Sequence, residues 1–158
     1  MKHIALFLFV AFSAMNITSD ISAQTICENG FAGEYACDGY DLYTYFPLSS
    51  VGGGDNGNDC WGWVDSESGR EFVLFGRSDG MSVVEITDPL APSFIANLPT
   101  ATYPSLWRDI KVIGDYAFIG SEAGMHGMQI LDLTQVLDLS GFPFNITATS
   151  NYLGFGNA

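Results

Sequence analysis

What this chain has least of is positive charge: 5 lysines and arginines stand against 18 acids in 158 residues, for a net charge of −13. A field of that sign repels phosphate backbones and anionic lipid. It argues against nucleic acid and charged membrane surfaces as partners, and it favours cations or basic proteins. Cysteine is nearly as scarce, with 3 residues and neither a Cys-x-x-Cys pair nor a Cys/His cluster, so zinc binding and thiol redox chemistry lack support. Histidine occurs only as His3 and His126, which leaves acid–base hydrolysis with few of its usual parts. The apolar run at residues 4–15 is shorter than the roughly 20 residues that cross a bilayer, so no membrane span is expected. Helical periodicity is almost missing too. Only residues 134–139 read as a turn or two, stopped by Gly141, Phe142 and Pro143.

The beginning of the chain reads as an address. Lys2 and His3 precede that apolar run, and Ile21, Ser22 and Ala23 place a small residue at a cut before Gln24, so residues 1–23 are expected to be a secretory signal peptide. Removing them leaves Arg70, Arg77, Arg108 and Lys111 as the whole basic complement. Most carboxylates are then solvated, bonded to backbone or bound to metal. In an oxidising compartment Cys27 and Cys37 are the natural disulfide, closing a short loop. Cys60 is left over: buried and free, paired outside this chain, or exchanging with one of the other two.

The rest of the chain is written as short strands. Residues 40–48 are aromatic-rich and read as a strand ended by Pro47, before a loop over 49–59 that contains Gly52, Gly53 and Gly54. Trp63-Val64-Asp65 then recurs as Trp107-Arg108-Asp109, and the match runs without a gap through Gly76, Gly80 and Met81 against Gly120, Gly124 and Met125. Repetition at 44 residues marks stacked copies of one supersecondary unit. The first unit is expected to have strands at 61–64, 71–76, 81–87 and 93–98, with a proline-flanked connector over 88–92. In the second, strands are expected at 106–112, 116–120, 128–133 and 151–155. By Leu131 the offset has grown to 47, which places a three-residue insertion, His126-Gly127-Met128, in the second unit's hairpin. The fold class is therefore all-β, about two blades of an incomplete β-propeller. Residues 24–60 form the disulfide-containing segment and glycine loop, 61–104 the first repeat, and 105–158 a second, truncated one. Repeat arrays need about three or more units, so a piece of a longer protein is expected.

Several motifs occur together: Cys27-Glu28-Asn29-Gly30-Phe31-Ala32-Gly33-Glu34-Tyr35, Cys37-Asp38-Gly39-Tyr40-Asp41-Leu42, Trp61-Gly62-Trp63, Ser105-Leu106-Trp107-Arg108-Asp109-Ile110-Lys111-Val112 and His126-Gly127-Met128-Gln129. In that order they resemble the choice-of-anchor B family, secreted proteins built from LVIVD-type propeller repeats. The resemblance implies an extracellular or surface-displayed propeller, anchored through a C-terminal region that varies among members. It implies no particular activity.

The candidate sites are few. Asp55, Asn56, Asn58 and Asp59 put oxygen ligands close together, as a calcium loop does, but Cys60 and Ser66 stand where a turn glycine and a bidentate acid belong. Asp65 and Asp109 recur two places after Trp63 and Trp107. They read first as acceptors for backbone N–H groups at turns, and second as a ring of acids around a channel. Arg108, Asp109 and His126 read first as an exposed histidine with unrelated neighbours, and second as a trio converging at a propeller mouth for acid–base work or anion binding. Trp61, Trp63, Trp107, Phe72 and Tyr116 read as packing between blades before they read as a sugar-stacking surface. Asn145-Ile146-Thr147 is a glycosylation sequon. The leading expectation is a secreted binding or display module, without chemistry, for an extracellular protein or glycan. The alternatives are a propeller hydrolase or lyase using the Arg108 trio, and a calcium-stabilised propeller.

Overall fold

The structure is a computed structural model that describes residues 24–139 and 143–154. The expected signal peptide, residues 1–23, lies outside the described residues, as do Gly141 and Phe142 and the expected last strand's end at Phe155. The chain is all-β. A small hairpin, β1 (Phe31–Ala32) with β2 (Tyr35–Ala36), comes first, beside the Cys27–Cys37 disulfide. Two antiparallel four-stranded meanders follow. The first is β3 (Gly57–Val64), β4 (Glu71–Arg77), β5 (Gly80–Glu85) and β6 (Ser93–Pro99). The second is β7 (Ile110–Ile113), β8 (Tyr116–Gly120) and β9 (Met128–Asp132), closed by β11 (Ser150–Tyr152). Between β9 and β11, β10 (Phe144–Asn145) crosses back to pair parallel with β6, so the outer edge of the first sheet is covered by the second unit.

Alternation decides which residues enter the core. On the first sheet Trp63, Phe72, Leu74, Met81, Val83, Ala96 and Leu98 turn to one side. They meet Ile110, Ala117, Ile119, Leu131, Leu133 and Val136 of the second unit in one buried cluster. Each of the larger aliphatic and aromatic side chains contributes about 1.5–3 kcal/mol by leaving water. The Trp63 ring lies against Phe72 with centroids 5.2 Å apart, and its indole N–H donates to Asp115 at 3.3 Å. The short helical expectation at 134–139 becomes a 3-10 turn over Leu133–Val136, capped by the Asp132 carboxylate accepting from Thr134 N.

Two expectations are corrected. Residues 40–48 form no strand. They meet sheet structure only where Leu42 bridges Thr25, and residues 48–50 make a 3-10 turn after Pro47. This segment lies on the far face of the first sheet, tied there by Val51, which is buried and whose carbonyl accepts from Ser82 Oγ.

The second correction concerns the repeat itself. Trp63 pairs across the ladder with Phe72, and Tyr116, the match of Phe72, pairs with Ile113, so the counterpart of Trp63 is Ile113 and not Trp107. The hairpin holding Asp65 to Arg70 shrinks to Gly114-Asp115 in the second unit. That contraction moves Trp107-Arg108-Asp109 ahead of the strand, in register with Gly57-Asn58-Asp59. Met125 is likewise no partner of Met81. Met81 pairs with Gly76 and Met128 pairs with Gly120, and the extra residues sit in the loop between.

Candidate functional site

The seam between the two sheets holds the polar chemistry. Arg108 is wholly buried there because the backbone of residues 105–109 is pulled onto the first sheet: Ser105 N donates to Ser78 O at 2.9 Å and Arg108 N to Asn58 Oδ1 at 3.1 Å. The expected strand from Leu106 therefore begins only at Ile110. The Arg108 guanidinium reaches both sheets. Its Nε donates to Arg77 O at 2.9 Å, Nη2 to Thr100 Oγ1 at 2.8 Å and more weakly to Ser78 O at 3.4 Å, and Nη1 faces His126 Nε2 at 3.0 Å.

Because a guanidinium only donates, His126 Nε2 carries a lone pair, and Nδ1–H donates to Gly127 O at 2.9 Å. The ring is thus neutral and held at both nitrogens. Burial lowers its pKa from the ordinary 6.5 and nearby Arg108 adds to this, against the pull of Gly127 O. Burial pushes Arg108 down to about 10, with Asp79 opposing and Arg77 adding to the shift.

Arg77 is the second buried cation. It sits at the tip of the β4–β5 hairpin, where Nη2 donates to Asn97 Oδ1. Nη1 lies 3.1 Å from Asp79 Oδ1 in an ion pair that is not aligned as a hydrogen bond. Burial lowers its pKa, and Asp79 opposes that. The glycine loop explains how so large a group is covered. Gly52, at φ +107°, lays bare backbone on the guanidinium, and a Cβ there would fall 2.5 Å from Nη1.

The expected trio is only partly assembled. Arg108 and His126 meet as bolt and acceptor, while Asp109 is exposed and its carboxylate makes no hydrogen bond among the described residues. The repeated acids also part company. Asp65 accepts from Ser68 N at 2.9 Å and from Ser68 Oγ, and these bonds hold its carboxyl below the usual range at the β3–β4 turn. That is the turn-acceptor role expected of it.

The calcium candidates do not converge. Asp55 N donates to Ser78 Oγ, whereas Asp59 turns into the seam, accepting from Ile110 N at 2.9 Å and Lys111 Nζ at 3.2 Å. Burial alone would raise the Asp59 pKa, but these bonds and one from Cys60 N outweigh it and bring it down. Among the described residues no three His, Cys, Asp or Glu side chains are placed to hold a metal together. Cys60 is exposed and unpaired among the described residues.

In the sequence Asn58 reads as a calcium ligand and Thr100 carries no role, because what each does in the seam depends on where Arg108 comes to rest. Arg77 enters the seam through its carbonyl, while its side chain, two places on from Phe75, lies on the far face of the first sheet under the glycine loop. Beside the seam the loops open outward. Trp107 is 51% exposed and Met125, held at φ 61° in the lengthened β8–β9 hairpin, is 81% exposed. Tyr103 and Leu106 lie exposed on the linker, and Tyr103 accepts from Gly124 N at 2.6 Å, fastening linker to hairpin. A cavity of about 390 Å³ is lined here by Trp107, Arg108, Asp109 and Glu122. Comparison with family models, with curated proteins and with solved structures gives no match to this chain.

Proposed function

We propose that the chain is a pair of neighbouring blades of a secreted β-propeller of the choice-of-anchor B type, acting as a binding or display module without chemistry of its own. The observation that carries this reading is the state of His126. Its two ring nitrogens are committed to Arg108 and Gly127, away from solvent, so the residue that would act as acid or base is a fastener between sheets. The stacked meanders and the disulfide support the architecture and the oxidising compartment.

Recognition falls to the loops that this fastener holds still. Tyr103, Leu106, Trp107 and Met125 offer apolar and aromatic surface next to Glu122 on a rigid scaffold, an arrangement suited to an extracellular protein or to a glycan ring stacked on indole. An array of glycans and secreted proteins, probed with the wild-type chain and with Trp107→Ala and Met125→Ser, tests this. Binding that both substitutions abolish at unchanged melting temperature is expected. Binding indifferent to them, or turnover of ester or glycoside substrates lost in His126→Gln, would overturn it.

A further inference from the structure

The lengthened β8–β9 hairpin, residues 121–127, is fastened to the linker ahead of β7 by few contacts. Ser121 Oγ donates to Trp107 O at 3.2 Å, Glu122 N reaches the same carbonyl at 3.4 Å, and Gly124 N donates to the Tyr103 hydroxyl at 2.6 Å. The remaining tie is Arg108 Nη1 on His126 Nε2 at 3.0 Å, with both side chains buried. It is the one tie that a proton undoes. Because Nδ1–H already donates to Gly127 O, a proton added at Nε2 consumes the lone pair that faces the guanidinium and sets two cations side by side.

Nothing around the ring is arranged to receive that proton. The charge acting on it is Arg108 itself, and its other polar neighbours are Gly127 O on the hairpin and Gln129 on β9. Farther out, Asp79 and Arg77 of the β4–β5 tip act on Arg108, and Asp109 and Glu122 line the cavity outside it. The linker brings the hydroxyls of Thr100 and Tyr103, and β11 brings the Tyr152 carbonyl to Gly127. The hairpin is also strained next to the ring. Met125 is held at φ 61° while its side chain is 81% exposed, so no burial of that side chain offsets a left-handed backbone, and opening relaxes it.

We propose that His126 is a pH gate on the loop surface: in acid its ring takes up a proton, parts from Arg108, and frees residues 121–127, with Glu122 and Met125, from the linker that carries Tyr103 and Trp107. The proposal rests on the loop-binding reading and gives that surface its regulation, assembled at neutral pH and taken apart in acid. Burial holds the closed ring below its ordinary 6.5 against the pulls of Gly127 O and Gln129, whereas the open hairpin puts the ring in water, where it titrates near that value. Proton uptake by the open form alone would multiply the opening constant by about 25 between pH 7 and pH 5, and about tenfold is expected once the closed ring takes up part of a proton too. His126 is the only histidine among the described residues, and ordinary carboxylates titrate near pH 4, so this interval isolates the ring.

Native-state hydrogen exchange at about pH 7 and pH 5, over a series of low urea concentrations and divided by intrinsic rates, tests the gate without any ligand. The amides of residues 122–127 are expected to open about tenfold more at pH 5 with almost no dependence on urea, because a local opening exposes little surface. In His126→Gln, whose amide keeps a neutral acceptor for Arg108, the two pH values are expected to agree within about twofold. A wild-type hairpin indifferent to pH, or a rise seen only in the urea-dependent opening shared with β4 and β5, would overturn the proposal. If His126→Gln folds poorly, a nitrogen NMR titration of the wild-type ring decides: the proton is expected at Nε2 in step with hairpin opening, and a ring that titrates in a closed hairpin overturns the gate. For a partner found on the array, the dissociation rate is expected to rise between pH 7 and pH 5 more for the wild type than for His126→Gln, and equal rises would overturn the regulatory role. An array without a partner removes the loop-binding reading and leaves the gate to be decided by exchange.

Discussion

Removing the Arg108 guanidinium is the sharpest perturbation of the seam. In Arg108→Met the stem and its packing are largely kept, but Arg77 O, Thr100 Oγ1 and His126 Nε2 lose a charged donor at 2.8–3.0 Å. Bonds to a charged group contribute about 1.5–3 kcal/mol each. Part of that is returned, because a buried cation with no closely bonded carboxylate no longer has to be desolvated. Ser78 O keeps its bond from Ser105 N, and Thr100 Oγ1 can rotate toward another partner. The net expectation is a loss of about 3–5 kcal/mol, from neutral acceptors left buried and unpaired at about 1–3 kcal/mol each, less the desolvation returned. For a domain of this size it corresponds to roughly 10–20 °C in melting temperature. Urea denaturation at constant slope is the assay. Arg108→Lys, which keeps the charge but not the fork, should fall between the two. Arg108→Met with His126→Phe should cost less than the sum of the single changes, because no lone pair is then left facing a methionine. A loss under about 1 kcal/mol for Arg108→Met, or strict additivity of the pair, would refute the bolt.

Three further outcomes follow from neighbouring contacts. Because burial depresses the folded pKa of His126 below its ordinary 6.5, the unfolded chain binds that proton first. Stability should therefore be full above about pH 6.5, decline as pH falls toward the lower folded pKa, and lose this slope in His126→Gln, all readable by melting across pH. Gly52→Ala sets a methyl 2.5 Å from Arg77 Nη1 at a φ of +107° and should cost about 1–3 kcal/mol in urea titrations, whereas Gly53→Ala, with nothing within 4 Å of its Cβ, bears only the backbone strain at φ +90° and should cost less. Reducing the Cys27–Cys37 bridge releases a loop with a sequence separation of 10, worth about 3 kcal/mol by loop entropy. Hydrogen exchange should place that loss in residues 25–42 and leave β3 to β9 protected.

Most of the strands were legible because alternation and glycine punctuation are local. The run from Glu71 was bounded to within one residue and residues 116–120 were read in full, while the three-residue insertion, read as His126-Gly127-Met128, falls within residues 121–127, because Met128 itself opens β9. What misled was identity of letters. Trp63-Val64-Asp65 and Trp107-Arg108-Asp109 align without a gap, yet one ends a strand and the other precedes one, because the first hairpin has a six-residue turn, 65–70, and a longer ladder where the second has a two-residue turn, 114–115. The corrective cue lay in Ile110, Val112 and Ile113 running directly into Gly114, which takes φ +59° in a two-residue turn. Aromatics at 40–45 suggested a strand by propensity alone. They had no neighbouring strand of matching register, and propensity without a partner does not make a sheet. The meeting of Arg108 and His126 was among the readings of the sequence, but the departure of Asp109 from it was not, since consecutive residues in extended chain point to opposite sides.

The placement of the four basic side chains in the described residues also bears on what the surface can recognise. Arg108 is buried in the seam, and Arg77 is buried on the far face of the first sheet under the glycine loop. Arg70 forks onto Glu85 at 2.8 and 2.9 Å, donates to Leu137 O and lies over the Phe72 ring. Lys111 is the most exposed, but it sits between Asp59 and the Trp61 face. Every cation is thus engaged with the fold, and the acids of a chain at net −13 are left to dominate its exterior. A partner that meets such a surface through charge must be cationic, and its association rate should fall steeply with salt. A partner that stacks on Trp107 and bonds through hydroxyls should be nearly indifferent to salt. Measuring the association rate of any array hit at low and physiological ionic strength therefore separates a basic protein from a neutral glycan. A neutral glycan whose rate collapsed with salt would contradict the view that the loop aromatics, and not the acidic field, select the ligand.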